Sequence, residues 1–412
     1  MGVVGSMACH ARSVANRTNH VIVVEAGVSG LACALHLRST GREVTVLERD
    51  SAPGGRLDTM LELDGFRFDT GPARAMTPEA LAVPLRAVDE QLRDWIEMLP
   101  VDPICRAHYP DGTTIDVHAD AGRTVASIAA VCGRGEAAAY LRYLKLARYR
   151  VPPRAVLRDE RTRRLFDAAA LFGFPITENA WYPSGGASTV PRMLAGVAEK
   201  HGISIRYRSE VNGWESAGGR VTAARTVDGE RIPADAVVIP ARRPRRGASH
   251  LVLHLGSSAR YSKIAHHNLH FGAAWRVARH QVLKRGELMG DPTLLVSAPG
   301  ATDPGAAGVL QVIVPVPNLR APVPWATRAT RAYAGEVMAV LEARGYMDLG
   351  ASVRVSYVVS PRDWAGMGMA YGVPCARVRD RGGVHHALEN VVVVGIGLES
   401  GTLAAQRVIG AL

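Results

Sequence analysis

Apolar residues run along the chain in two rhythms, unbroken over strand length and spaced at helical intervals. His20-Val-Ile-Val-Val-Glu25 is continuously apolar, which predicts a strand buried on both faces. Ser29 to Thr40 then sets Leu31, Ala34, Leu35 and Leu37 on one side of a helix that Gly41 ends. Glu43-Val-Thr-Val-Leu-Glu48 predicts a second buried strand, so residues 20–48 form one βαβ unit with a topological switch point beside it.

Thr59 to Phe68 alternates apolar and polar residues around Asp64-Gly65, the signature of a hairpin. Residues 78–180 read as mostly helical, with a break at Pro152-Pro153. A loop at Trp181 to Gly186 leads to a helix through about Lys200. Strands are expected at Ile203 to Val211 and Arg220 to Thr226, and at Ala234 to Pro240, which returns to the first sheet. Leu251 to Leu319 is strand-rich, with Val309 to Val316 the clearest strand. A helix at 328–344, a strand at 352–359, a buried strand Asn390 to Val394, a glycine turn and a helix from about Ser400 complete the pattern.

The expected fold class is α/β, a Rossmann-like parallel-sheet domain with an interleaved α+β second domain. Residues 20–77, 181–245 and 385–412 make the first, 78–180 and 246–384 the second, and 1–19 a disordered extension.

Composition narrows the classes. Hydrophobic residues at 47% and charged residues at 21% match a globular protein, against wholesale disorder or a polytopic membrane chain. The run Val391 to Leu398 is far short of the ~20 apolar residues of a spanning helix. The N-terminus lacks the apolar stretch of a signal peptide, and its match of Gly2 and Ser6 to the myristoylation pattern is of a kind that recurs by chance.

Five cysteines, odd in number and without a C-x-x-C pair, argue against disulfides and structural zinc and fit the reducing cytoplasm. The net charge of +11 is carried almost wholly by arginine and favours anionic partners. Nucleic acid is disfavoured, since the basic residues follow no helix-turn-helix, finger or ribonucleoprotein pattern. An anionic membrane surface fits better, through clusters such as Arg161-Thr-Arg-Arg164 and Arg242-Arg-Pro-Arg-Arg246.

The chemistry concentrates after the first strand. Glu25-Ala-Gly27-Val-Ser-Gly30 is a dinucleotide fingerprint whose first glycine is replaced by glutamate. Gly27 lets the backbone approach a pyrophosphate at the helix N-terminus, and Gly30 lets helix and strand pack closely. Glu48 ends the second strand, placed to accept hydrogen bonds from a ribose hydroxyl. In Pro53-Gly-Gly-Arg56 the adjacent Gly54 and Gly55 permit a tight turn, and the Arg56 guanidinium can pair with a phosphate, which points to FAD as the dinucleotide.

No hydrolytic triad, metal site or phosphoryl-transfer loop is visible, and no catalytic residue is assigned. His266 and His267 are expected on opposite faces of a strand and, with His270 and His385-His386, as structural histidines. Asp363-Trp364, Met367, Met369 and Tyr371 fit either an apolar tunnel or ordinary core.

On these residues the chain resembles the bacterial phytoene desaturases, FAD-dependent carotenoid desaturases within the amine-oxidase-like flavoproteins. The match runs nearly end to end. It includes Val21 to Glu48, Gly54-Gly-Arg56, Gly65-Phe-Arg-Phe-Asp-Thr-Gly-Pro72, Tyr182-Pro-Ser-Gly-Gly186, Ser209-Glu-Val211, Asp228 to Asp235, His266-His-Asn268 and Ser400 to Ala405. Ser258 to Gly272 is similar to the actinobacterial members in particular.

The resemblance implies that Gly27, Gly30, Glu48, Arg49, Gly55, Arg56 and Gly71 contact FAD, that Val211 offers backbone to the adenine, and that Gly395 sits near the flavin end. It also implies a lipophilic polyene substrate, peripheral contact with an anionic membrane, and stepwise dehydrogenation. Family members are longer. Stretches are short here near Tyr149 to Arg158, before Trp181, near Arg242 to Ala248, around Cys375 to Gly382 and after Gly397. Two further readings stay open, a homologue that keeps the fold without catalysis and a flavin amine oxidase-like enzyme.

Overall fold

The computed structural model describes residues 20–55, 60–69, 77–147, 151–172, 180–240, 247–261, 263–374, 388–395 and 398–411. Two sheets organise them. The first has five parallel strands in the spatial order Val391–Val394, Ala236–Pro240, His20–Val24, Glu43–Leu47 and Ser204–Arg206. Alternation across it explains its unbroken apolar strands. Val21 and Val23 pack on helices Val28–Ser39, Thr189–Lys200 and Leu398–Ala411, while Ile22 and Val237 pack on a three-stranded sheet through Val221, Ala224 and Ile232. Each such aliphatic side chain contributes roughly 1.5–3 kcal/mol by leaving water.

The hairpin is Met60–Leu63 with Phe66–Asp69, turning through Asp64 (φ 47°) and Gly65 (φ 78°) as a two-residue hairpin turn of this kind requires. The second sheet has seven strands, in the order Val353–Val359, Ser249–Ser257, Val309–Val316, Leu294–Ser297, His267–His270, Cys105–His108 and Thr114–Val117. Its neighbours are antiparallel except His267–His270 with Cys105–His108. One face, through Leu253, Val312 and Val296, packs on helix Thr327–Ala343. The other, through Val252, Ile313 and Leu295, is covered by helices Ala121–Cys132, Arg134–Ala147 and Glu160–Phe172.

Three expectations need correcting. Residues 78–180 are not uniformly helical: Cys105–His108 and Thr114–Val117 are strands that complete the larger sheet, because Cys105, Ala107, Ile115 and Val117 alternate into its core. The strand expected at 203–211 is divided. Ser204–Arg206 ends the parallel sheet, and Val211 opens the three-stranded one. Helix Pro78–Arg86, assigned above to the second domain, buries Leu81 and Leu85 in the core of the first.

Candidate functional site

The pyrophosphate turn is built from backbone. Glu25 donates its N–H to the Leu47 carbonyl at 2.9 Å and adopts φ 71°, the left-handed conformation that a glycine takes freely and a glutamate resists. Its carbonyl oxygen lies so close to Gly30 that a Cβ there would collide with it. Gly27 begins helix Val28–Ser39, and a Cβ built on it meets nothing within 4 Å, which leaves open space at the helix N-terminus. Gly54 donates to the Ala26 carbonyl at 3.0 Å, and a Cβ on Gly55 (φ 57°) would stand 3.5 Å from the Gly27 Cα. Two glycine turns thus touch, bridged at Gly27 and Gly54, beside the open space at the helix N-terminus that forms the cradle.

Glu48 closes the far end. Its buried carboxylate accepts from the Ala26 N–H at 2.6 Å and the Asp50 N–H at 2.9 Å. Burial raises its pKa, the charges of Asp50 and Glu25 add to the rise, and the two N–H donors oppose it. The Glu48 carbonyl accepts from Ser209 at 2.7 Å, and the Asp50 carbonyl from Arg208 at 3.0 Å, so Val211 is drawn to the same end. Arg49 lies there too, its guanidinium 3.6 Å from the Asp50 carboxylate. Gly395 follows strand Val391–Val394, where a Cβ would stand 2.5 Å from the Ser400 Oγ. The structure therefore gathers Gly27, Gly30, Glu48, Arg49, Gly55, Val211 and Gly395 at the carboxyl ends of the parallel strands. Arg56, Gly71, Arg242 to Arg246 and His385-His386 lie outside the described residues.

A second set of residues escaped the sequence reading. Asp69, at the end of the hairpin, accepts from the Tyr182 hydroxyl at 3.0 Å, from the Ala187 N–H at 2.9 Å and from the Ser188 N–H at 3.4 Å. Its carbonyl accepts from Gln311 Nε2 at 2.9 Å. Burial raises the Asp69 pKa, against the pull of those three donors. Asp303 holds the same loop from the other side, accepting from the Gly185 N–H at 2.9 Å. Asp69 thus ties the hairpin to both the 182–188 loop and the larger sheet. Both motifs are visible in the chain, but nothing in their spacing reveals that they meet.

The histidines serve the larger sheet. His266 pairs with Thr302, His267 with Ser297 and His270 with Tyr346, at 2.8, 2.9 and 3.0 Å. The rings of His266 and His267 are 4.5 Å apart rather than on opposite faces, because the strand begins at His267 and His266 escapes its alternation. Trp364 is buried in the core under the helices, whereas Met367 and Tyr371 are exposed. Among the described residues no group of histidine, cysteine and carboxylate side chains could hold a metal ion, and no helix is long and apolar enough to cross a membrane. A cavity of about 580 Å³, lined in part by Ala82, Leu92, Met98 and Trp181, opens beside helix Pro78–Arg86 and includes none of the cradle residues.

A parallel sheet with a glycine cradle and an acidic residue at its switch point defines a Rossmann-like dinucleotide-binding protein. Residues 23–83 match the family model of the NAD(P)-binding Rossmann-like domain. The chain is 33% identical to the phytoene dehydrogenase of Streptomyces griseus over 97% of its own length and 96% of that protein's. It is 28% identical to a zeta-carotene-forming phytoene desaturase of Myxococcus xanthus, over 86% and 83%. It belongs to the phytoene desaturase family, the FAD-type oxidoreductases of carotenoid biosynthesis. Solved structures share the fold: an oxidoreductase from Methanosarcina mazei (TM-score 0.63, 14% identity, 95% and 100% covered) and a putrescine oxidase variant (TM-score 0.59, 16% identity, 96% and 99% covered).

Proposed function

We propose that the chain binds FAD in the glycine cradle and dehydrogenates a long polyene precursor of the phytoene type. The observation that carries this is the cradle itself: Gly27 leaves open space at the helix N-terminus, Gly30 lets that helix close on the Glu25 carbonyl, and Glu48 is fixed at one end. The residues present fit FAD. Glu48 holds a ribose, Gly27 and the helix N-terminus face the pyrophosphate, Arg49 stands beside the adenosine half, and Val211 offers backbone to the adenine. By the family resemblance Arg56 would pair with a phosphate, Gly71 would contact FAD and Gly395 would sit near the flavin end.

Bound FAD supplies hydride-acceptor chemistry. The chain's own part is to hold a hydrocarbon in place and keep water out. Coexpression with a phytoene-producing pathway tests the reading: coloured, more conjugated products are expected, and a flavin-loaded protein that leaves phytoene unchanged would refute it. A homologue that keeps the fold without catalysis is the second reading, favoured by Glu25 in its left-handed conformation at the first glycine position.

A substrate that resides in lipid calls for peripheral attachment to an anionic membrane from the cytoplasmic side. Arg161 and Arg164 are engaged by Asp111 and Glu160, and Arg163 donates to the Arg158 carbonyl. The neighbouring helical stretch Trp275 to Arg285 presents exposed Arg279 and Lys284 with an exposed Val277, flanked by Arg276 and Arg285, which stand 3.6 Å from Glu160 and 4.0 Å from Glu287, and it is the better surface. Binding to anionic vesicles should weaken with salt, because exposed charges are screened beyond ~8 Å at physiological ionic strength. Salt-indifferent binding would refute it.

A further inference from the structure

The strand register of the seven-stranded sheet places Tyr357, His254, Gln311, Ser297 and His267 side by side in one transverse row, one residue from each of five strands. All but Tyr357 are buried. The adjacent row on the same face is wholly apolar: Val359, Val252, Ile313, Leu295, Leu269 and Ala107. A polar row thus lies directly beside an apolar one inside the protein.

Within the polar row, His267 Nδ1 pairs with Ser297 Oγ at 2.9 Å, and Gln311 donates to the Asp69 carbonyl. His254 differs. Its ring is fully buried, and among the described residues neither Nδ1 nor Nε2 has a hydrogen-bond partner. Among the described residues the rings of Phe68 and Tyr357 stand beside it, with centroids at 5.8 and 6.2 Å, and Gln311 is its neighbour in the register. Burial holds its pKa down to about 4, so the neutral imidazole keeps one N–H donor and one bare acceptor. Buried polar groups are nearly always paired, and one that is not calls for an explanation in function.

We propose that His254 is a cofactor-contacting residue, whose free imidazole hydrogen-bonds the polar ring system of a bound flavin where that ring meets the polyene. The inference rests on the FAD reading above. A hydrocarbon substrate offers an imidazole nothing to bond, whereas a flavin ring carries both donors and acceptors. The placement agrees. Hairpin Met60–Asp69 begins five residues after Gly55 in the cradle and ends at Asp69, bonded to Gln311, the register neighbour of His254. A dinucleotide with its adenosine at Glu48 and its pyrophosphate at Gly27 directs its other half away from Glu48.

The test is titration of FAD into flavin-free full-length protein, read by the visible flavin spectrum and by the melting temperature of the flavin-free form. His254→Leu should weaken FAD at least about tenfold and shift the visible band, while the flavin-free melting temperature does not fall, since no hydrogen bond is lost with the ring. His254→Asn, which keeps a donor and an acceptor, should recover most of the affinity. Equal affinity and spectrum in His254→Leu would overturn the proposal. So would a melting temperature that falls in step with affinity, or an equal loss of FAD in Thr293→Val, another unpartnered buried group lying off the row. If the unmodified chain takes up no FAD, the cofactor reading and the proposal fail together. If it does and His254→Leu matches it, only the proposal fails.

Discussion

The five-stranded and the seven-stranded sheet handle polarity in opposite ways. In the parallel sheet the strand interiors are apolar on both faces apart from Thr45, and the groups with chemistry, Glu25, Gly27 and Glu48, lie where strands end. In the larger sheet polar side chains enter the face itself, as the row from Tyr357 to His267. A site at strand ends is made of backbone and tolerates little change of shape. A site on a sheet face is made of side chains and tolerates substitution, while it answers to pH.

Substitution in the cradle gives the largest expected effect. Gly30→Val drives a branched side chain into the Glu25 carbonyl and toward Val23, and should cost about 3 kcal/mol in urea unfolding and abolish flavin uptake. Unchanged stability would mean that the turn is not close-packed. Asp69→Ala breaks the link between the two regions, leaving the Tyr182 hydroxyl and the Ala187 N–H without their acceptor. A loss of about 2–3 kcal/mol is expected, smaller for Asp69→Asn.

The buried histidines make the larger sheet sensitive to acid. Burial pushes His250, His254 and His266 down to about 4 from an ordinary 6.5. The unfolded chain therefore binds more protons than the folded one between those values, and stability falls as pH drops from 6.5 to 4. Each histidine adds up to about 1.4 kcal/mol per pH unit within that window. Asp69 acts in the opposite sense, since burial raises its pKa, and it removes stability as pH rises from 3.8 toward its folded value. Urea melts at pH 7, 6 and 5 check the balance: a flat profile would contradict it, and His254→Leu should reduce the slope.

Glu25→Gly is the smallest change. Relief of the left-handed glutamate should add about 1 kcal/mol of stability and tighten FAD by removing a carboxylate beside two phosphates. Glu25→Gln should recover only the electrostatic part. Equal affinity in all three proteins would remove Glu25 from the account.

The two regions also differed in how legible they were. The cradle could be read from the chain because its determinants are local: Gly27, Gly30 and Glu48 sit at fixed offsets within one βαβ unit, and the hairpin turn is set by Asp64-Gly65. The larger sheet could not. Cys105–His108 is four residues long, between two strands as short, too short for its alternation to stand out. The polar row depends on the register of strands more than forty residues apart, such as His254 with Gln311, and no single segment carries it. Asp69 was visible within its motif, while its partners at 182–188 are known only from the fold.

The central claim, a flavin cradle serving a polyene chamber, is tested most directly by mixing purified flavin-loaded protein with phytoene in anionic liposomes without oxygen. The account predicts that the visible flavin absorbance bleaches as more conjugated polyene absorbance rises. A fully loaded flavin that keeps its colour in the presence of phytoene, yet bleaches with an amine, would contradict it.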